Sequence, residues 1–149
     1  MAIEEKAGLY FRIEAEIQIE ASPEAVFEAL TNGLDAWWPH RTDEKAKIVF
    51  DPKPGGMIYE DHGDGKHIAY GVVAGYNPPH TLVSLDLAGW GDGAYNSRNI
   101  ENVEADGKGG SIYKKTLILW GAVPEEVAEM FSGGVTSLMN SLKEYVEGQ

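Results

Sequence analysis

The residues best suited to chemistry lie in the middle of the chain. Asp61-His62-Gly63-Asp64-Gly65-Lys66-His67 gathers two imidazoles and two carboxylates, groups that zinc accepts as ligands. The same order suits a solvated hairpin turn, because backbone φ alone accounts for its glycines and aspartates. We read it as a turn and expect no metal. Just before it, Glu60 and Asp61 follow Tyr59. A buried carboxylate beside aromatic rings can become a general base with a raised pKa. Neighbours on a strand point to opposite faces, so only one of the two can do this; a carboxylate on the wet face is the plainer expectation. Asn96, Arg98 and Asn99 make a third polar group. An inward Arg98 would suit a ligand carboxylate through its planar fork, whereas an outward one would protect an exposed sheet edge. There is no cysteine nucleophile. Serine-hydrolase, phosphate-loop and dinucleotide motifs are also missing, so no cofactor is expected.

The elements that must position these groups are legible from periodicity. Residues 9–20 alternate apolar and polar, the pattern of a strand with one wet face. Ser22 as N-cap and Pro23 at the first turn open a short helix that Asn32-Gly33 closes. Trp37 and Trp38 follow in a loop or helix end, where at least one can cap a core or wall a pocket. Asp51-Pro52-Lys53-Pro54-Gly55-Gly56 is a turn between strands. Hairpin strands are expected at 57–61, 67–76, 81–88, 94–104 and 111–120. In the second of these, unbroken alternation would put Ile68, Tyr70, Val72, Ala74 and Tyr76 on one face. Ala69, Gly71, Val73 and Gly75 would then form a face of small residues that lets a backbone or ligand come close. The strand at 111–120 is apolar on both faces, so its inner face is undetermined. A long helix runs from about Pro124 to Gly148. Its stripe of Val127, Met130, Phe131, Val135, Leu138, Met139, Leu142, Tyr145 and Val146 has the spacing of a helix lying on a sheet.

Bulk properties narrow the function. A chain of 149 residues with 43 % apolar content suits one domain, residues 1–149, with a real core. A formal net charge of −12 disfavours nucleic acid and anionic lipid as partners. No apolar run approaches the length of a membrane span, and Met1 to Gly8 has no signal-like apolar region. A cytoplasmic location is therefore expected.

The order strand, helix, hairpin strands, long final helix resembles the helix-grip fold of the SRPBCC superfamily. That group includes START domains, birch-pollen-allergen-like proteins and polyketide cyclases. More narrowly, four segments resemble bacterial homologues of the activator of the 90-kDa heat-shock protein ATPase. They are Ala36-Trp37-Trp38-Pro39; Asp51-Pro52-Lys53-Pro54-Gly55-Gly56 with Tyr59-Glu60; Tyr70-Gly71-Val72-Val73 with Asn77-Pro78-Pro79-His80-Thr81-Leu82-Val83; and Val103-Glu104-Ala105-Asp106-Gly107. The chain departs from the family pattern in its final helix, where Gly133-Gly134-Val135 replaces a Gly-Trp pair, and before it, where Leu117-Ile118-Leu119-Trp120 lacks the usual polar ending.

The resemblance implies an α+β fold with a curved antiparallel sheet of six or seven strands around the C-terminal helix. It also implies a cavity near the first half of that helix. Trp37, Trp38, Tyr59, Tyr70, Trp90, Arg98, Trp120, Met130 and Phe131 are the candidate ligand contacts. The favoured expectation is a binding module for a small hydrophobic or aromatic molecule. An enzyme of the cyclase or hydrolase kind would need an inward pair such as Glu60 with Tyr70, or Arg98 with Asn96. A stress-linked module acting on a chaperone ATPase, the partner that the narrower family implies, would need an exposed patch instead.

Overall fold

The computed structural model describes residues 9–87 and 93–149. Strand β1 spans Leu9–Ile19 and is followed by helix α1, Pro23–Leu30, and a single 3-10 turn at Leu34–Ala36. Strands β2 (Lys47–Phe50), β3 (Met57–Asp61), β4 (His67–Asn77), β5 (Thr81–Asp86), β6 (Tyr95–Ala105) and β7 (Ser111–Gly121) come next, and helix α2, Glu125–Glu147, ends the fold. All seven strands form one antiparallel sheet in the order β1-β7-β6-β5-β4-β3-β2. This is the helix-grip architecture, with both helices on the inner face.

Local chemistry sets the element ends. Ser22 Oγ accepts the Ala25 amide at 3.2 Å, satisfying one free donor at the start of α1. Val26, Phe27, Ala29 and Leu30 then bury one side of that helix. In the β6–β7 turn, Asp106 Oδ1 accepts from the Lys108 amide at 2.7 Å and the Gly110 amide at 3.0 Å. Gly107 and Gly109 there hold positive φ of 79° and 88°, which glycine adopts without steric penalty. Pro124 is the N-cap of α2 and not its first helical residue.

Helix α2 divides into two regimes. Its C-terminal half buries Leu138, Met139, Leu142 and Val146 against Ile19, Val26 and Tyr113 in one continuous core. Each aliphatic side chain so buried contributes about 1.5–3 kcal/mol. Its N-terminal half leaves Met130 64 % exposed and Phe131 half-buried. Ala128 and Val135 are buried in that half too, so it is held by smaller contacts while its Met130 and Phe131 side stands off the sheet.

Strand β4 departs from simple alternation. Ile58 pairs with Gly71 but Tyr59 pairs with Ala69, so Tyr70 is an extra residue, a β-bulge. A second bulge lies at Ala74, because Val73 pairs with Ser84 and Gly75 with Val83. Ile68, Gly71, Val73 and Tyr76 consequently share the inner side of the strand, which corrects the two-face division expected for residues 68–76. On β7 the odd-numbered residues from Ser111 to Leu119 are buried. Half-buried Ile112 and Ile118 on the outer face explain why the sequence left that strand ambiguous. No helix among the described residues is long and apolar enough to cross a membrane.

Candidate functional site: a cavity between sheet and helix

The stand-off of α2 opens a cavity of about 780 Å³ between the sheet and the first half of the helix. Its walls are chiefly apolar. Leu30, Leu34 and Trp38 come from the N-terminal helical region, Phe50, Ile58 and Ile68 from β2–β4, and Leu82 and Leu117 from β5 and β7. Phe131, Val135 and Leu138 close it from the helix, and Met130 with His40 and Gly93, all exposed, marks the mouth. About 150 Å³ suffices to hold a benzene ring, so there is room for a molecule of two or three rings.

Gly133 and Gly134 lie on the cavity side of α2. A Cβ at Gly133 would meet nothing within 4 Å, and one at Gly134 would meet only His40 Nε2 at 3.9 Å. Neither glycine is therefore required by close packing. Their effect is to enlarge the cavity. His40 Nε2 lies 3.1 Å from the Gly134 carbonyl oxygen and joins the loop after the 3-10 turn to the helix here. Gly71, on the opposite wall, is different: its Cβ would stand 2.7 Å from the Leu85 carbonyl oxygen, so strand β5 itself excludes a side chain.

A polar patch interrupts the apolar wall on β5, β6 and β7. The register places Asp86 opposite Ser97, Ser84 opposite Asn99, and Glu101 opposite Lys115. Ser97 Oγ donates to Asp86 Oδ2, and Asn99 Nδ2 lies 2.8 and 2.9 Å from the two carboxylate oxygens. Burial raises the Asp86 pKa above the usual aspartate range, and this outweighs the Ser97 and Asn99 hydrogen bonds and the Lys115 charge, which lower it. Lys115 Nζ donates to Glu101 Oε1 at 3.1 Å, and the fully buried Tyr113 hydroxyl donates to the same oxygen. Burial and the Glu101 charge push the Tyr113 pKa well up.

A second network stands behind Tyr70. Its hydroxyl donates to Glu60 Oε2, while Thr42 donates to Glu60 Oε1 from its hydroxyl at 2.6 Å and its amide at 2.9 Å. His62 Nε2 is 3.1 Å from Glu60 Oε1. Glu60 has no exposed surface, which corrects the expectation of a wet-face carboxylate at this position. Burial alone would raise its pKa, but hydrogen bonds from Thr42, Tyr70 and the Asp43 amide outweigh it, and the net direction is down. Tyr70 moves up, through burial and then the Glu60 hydrogen bond and charge. Its partner being a settled carboxylate, Tyr70 is fixed in place by the bulge and by Glu60 together.

A model of the activator of Hsp90 ATPase homolog 1-like protein family matches residues 20–147. The chain belongs to that family. No curated protein matches the sequence. Among solved structures, the Aha1 dimer from Colwellia psychrerythraea superposes with a TM-score of 0.68 at 20 % identity, over 92 % of this chain and 96 % of the other. The Ara h 8.0201 crystal structure gives 0.71 at 18 % identity over 94 % and 99 %. Norcoclaurine synthase from Thalictrum flavum gives 0.67 at 16 % identity over 97 % and 98 %. At these identities the likeness is one of fold.

Within this member of the activator-homologue family, Trp38, Tyr70, Met130 and Phe131 line the cavity. Trp37 does not: it is buried in the core, and its Nε1 donates to the Ala29 carbonyl at 2.7 Å. Tyr59 faces away and packs on His67 with ring centroids 4.9 Å apart. Arg98 is exposed on the outer face of β6, because alternation gives the inner positions to Ser97 and Asn99. Trp120 is 39 % exposed, outside the cavity and opposite Tyr10 on β1. Trp90 lies outside the described residues. Of the proposed catalytic pairs, Glu60 and Tyr70 meet, whereas Arg98 and Asn96, two apart on an unbroken strand, are both exposed on its outer face and form no inward pair.

The turn at 62–66 forms as expected. Asp61 Oδ1 accepts the Gly63 amide at 2.8 Å, and Gly63, Asp64 and Gly65 have positive φ. Among the described residues no three His, Asp or Glu side chains converge as a metal site would need.

Asp86, Glu101 and Lys115 were missed by the sequence reading. A signal for the last existed: Lys114 and Lys115 are adjacent on a strand, so one must point inward.

Proposed function

We propose that the chain binds a small, largely apolar molecule in the cavity under α2. The observation that carries this reading is the 780 Å³ space itself, walled by aliphatic and aromatic groups and widened by two helix glycines that no packing contact demands. Cavities of roughly 300–1,000 Å³ with such walls and a few convergent polar groups are the usual form of ligand sites.

The catalytic reading gains less from the geometry. Glu60 and Tyr70 do meet, yet their pKa values move apart, the acid downward and the phenol upward. A general base or acid working near neutral pH needs the opposite displacements. The network instead holds Tyr70 at the cavity wall. A chaperone ATPase as partner is what the family description suggests.

Titration with the neutral fluorophore N-phenyl-1-naphthylamine tests the binding reading, with native mass spectrometry after incubation in metabolite and lipid extracts. Saturable binding that Met130→Trp weakens, at unchanged fold, is the expected result. Failure of both the probe and the extracts to bind would remove the proposal and leave the cavity aromatics as plain core.

A further inference from the structure

The charges facing the cavity do not balance. Asp86, Glu101 and Lys115 line it. With the carboxylates ionised and the lysine protonated, their formal sum is −1. The lysine is already engaged by Glu101, at 3.1 Å and with both side chains about nine-tenths buried. Asp86 is left with two neutral donors, Ser97 and Asn99, which satisfy its oxygens but supply no positive charge. All its side-chain partners donate, an arrangement suited to a carboxylate and not to a carboxylic acid. Asp86 is also accessible in part, because it fronts the cavity. A deep carboxylate with an open side, whose nearby cation Lys115 is hydrogen-bonded to Glu101 instead, is a receptor for a further cation, since opposite charges attract most strongly away from bulk water.

We infer that the ligand is an apolar molecule carrying one protonated primary amine, with the ammonium seated on Asp86 and the apolar body running toward Phe131 and Met130. This rests on the cavity reading above and adds the head group. An ammonium brings three donors and one positive charge, which neutralises the patch. A carboxylate head would face two carboxylates and a lysine already paired. Raised by burial, the Asp86 pKa would return toward its ordinary range when the ammonium arrives, so binding and ionisation favour each other.

The test is a head-group series on one apolar body: 1-naphthylmethylamine, 1-naphthylmethanol and 1-naphthaleneacetate, measured by calorimetry on the wild-type chain and on Asp86→Asn. The amine is expected to bind best and the anion worst. Asp86→Asn should weaken the amine by about tenfold or more, the range for a lost charged hydrogen bond, and leave the alcohol within about twofold. Its melting temperature at neutral pH should not fall, because the substitution removes a buried charge. Binding of all three with equal affinity would overturn the head-group inference while the cavity reading stands. A preference for the anion would overturn it in favour of Lys115. No binding of any of the three, nor of the neutral fluorophore, would remove both.

Discussion

Replacing Gly133 and Gly134 together by alanine should make the protein more stable and a poorer binder. Glycine in a helix interior costs about 1 kcal/mol relative to alanine, and α2 carries the pair in its middle. The new methyl groups meet no atom at Gly133 and only the tip of His40, at 3.9 Å, at Gly134. No clash therefore offsets the gain, which sums to about 2 kcal/mol. For a chain of this length that corresponds to a rise of roughly 4–8 °C in melting temperature. The same methyl groups project into the ligand space, so affinity for the naphthyl probes should fall, most for the bulkiest. Thermal melts followed by circular dichroism, paired with probe titrations on the same samples, read both effects. A lower melting temperature would refute the claim that packing does not need these glycines. A higher one with unchanged affinity would refute the claim that their side of the helix bounds the ligand.

Gly71→Ala should behave in the opposite way, losing about 1–3 kcal/mol in urea unfolding, since its Cβ would press on the Leu85 carbonyl oxygen at 2.7 Å; a neutral result would mean β5 can retreat. Trp37→Phe removes the donor to the buried Ala29 carbonyl and should cost about 1–3 kcal/mol with probe affinity unchanged, whereas a loss of binding would return Trp37 to the ligand wall. Glu60 has its folded pKa below the unfolded value. The stability it contributes is present above the unfolded value and is lost as pH falls through the folded one, so Glu60→Gln should flatten the acid limb of a stability–pH curve. Asp86 has the reverse sign: the folded chain holds its proton longer, so stability declines as pH rises from the unfolded value through the folded one, and Asp86→Asn should abolish that decline. Its cavity neighbours Lys115, Glu101, Tyr70, Tyr95 and His40 remain in both proteins, so the difference curve isolates Asp86.

The elements were legible wherever one periodicity ruled. The alternation of β1, the Ser22–Pro23 helix start and the stripe of α2 each report a single buried face, and each forms as its spacing requires. Site residues were legible where side-chain size alone pointed to them. Trp38, Phe131 and Met130 are large apolar groups on elements whose inner side is otherwise filled. The rest depended on facts that sequence spacing does not carry. Trp37 and Trp38 are neighbours of equal type, and only the 3-10 turn decides that Trp37 enters the core. Arg98 looked like the reader of a ligand because it is the conspicuous charge on β6. Strand phase gives the inner positions to Ser97, Asn99 and Glu101 instead. Asp86 was overlooked because alternation over 81–88 sets it with Ser84, opposite the more apolar series Val83, Leu85 and Leu87, as a wet-face residue would be.

The two bulges of β4 have a consequence in parity. One extra residue exchanges the faces of everything beyond it, and a second exchanges them back. Ile68 and Tyr76 therefore stay on the inner side, as their even spacing demands, while only the segment between the bulges, Gly71 and Val73, is moved there from the odd series. The strand thus presents its smallest residue to the ligand without disturbing the phase of either end. Deleting Tyr70 or Ala74, singly or together, would therefore remove only the bulge and leave every remaining residue with its present partner and face, whereas inserting one residue between regular pairs would turn one end of the strand inside out.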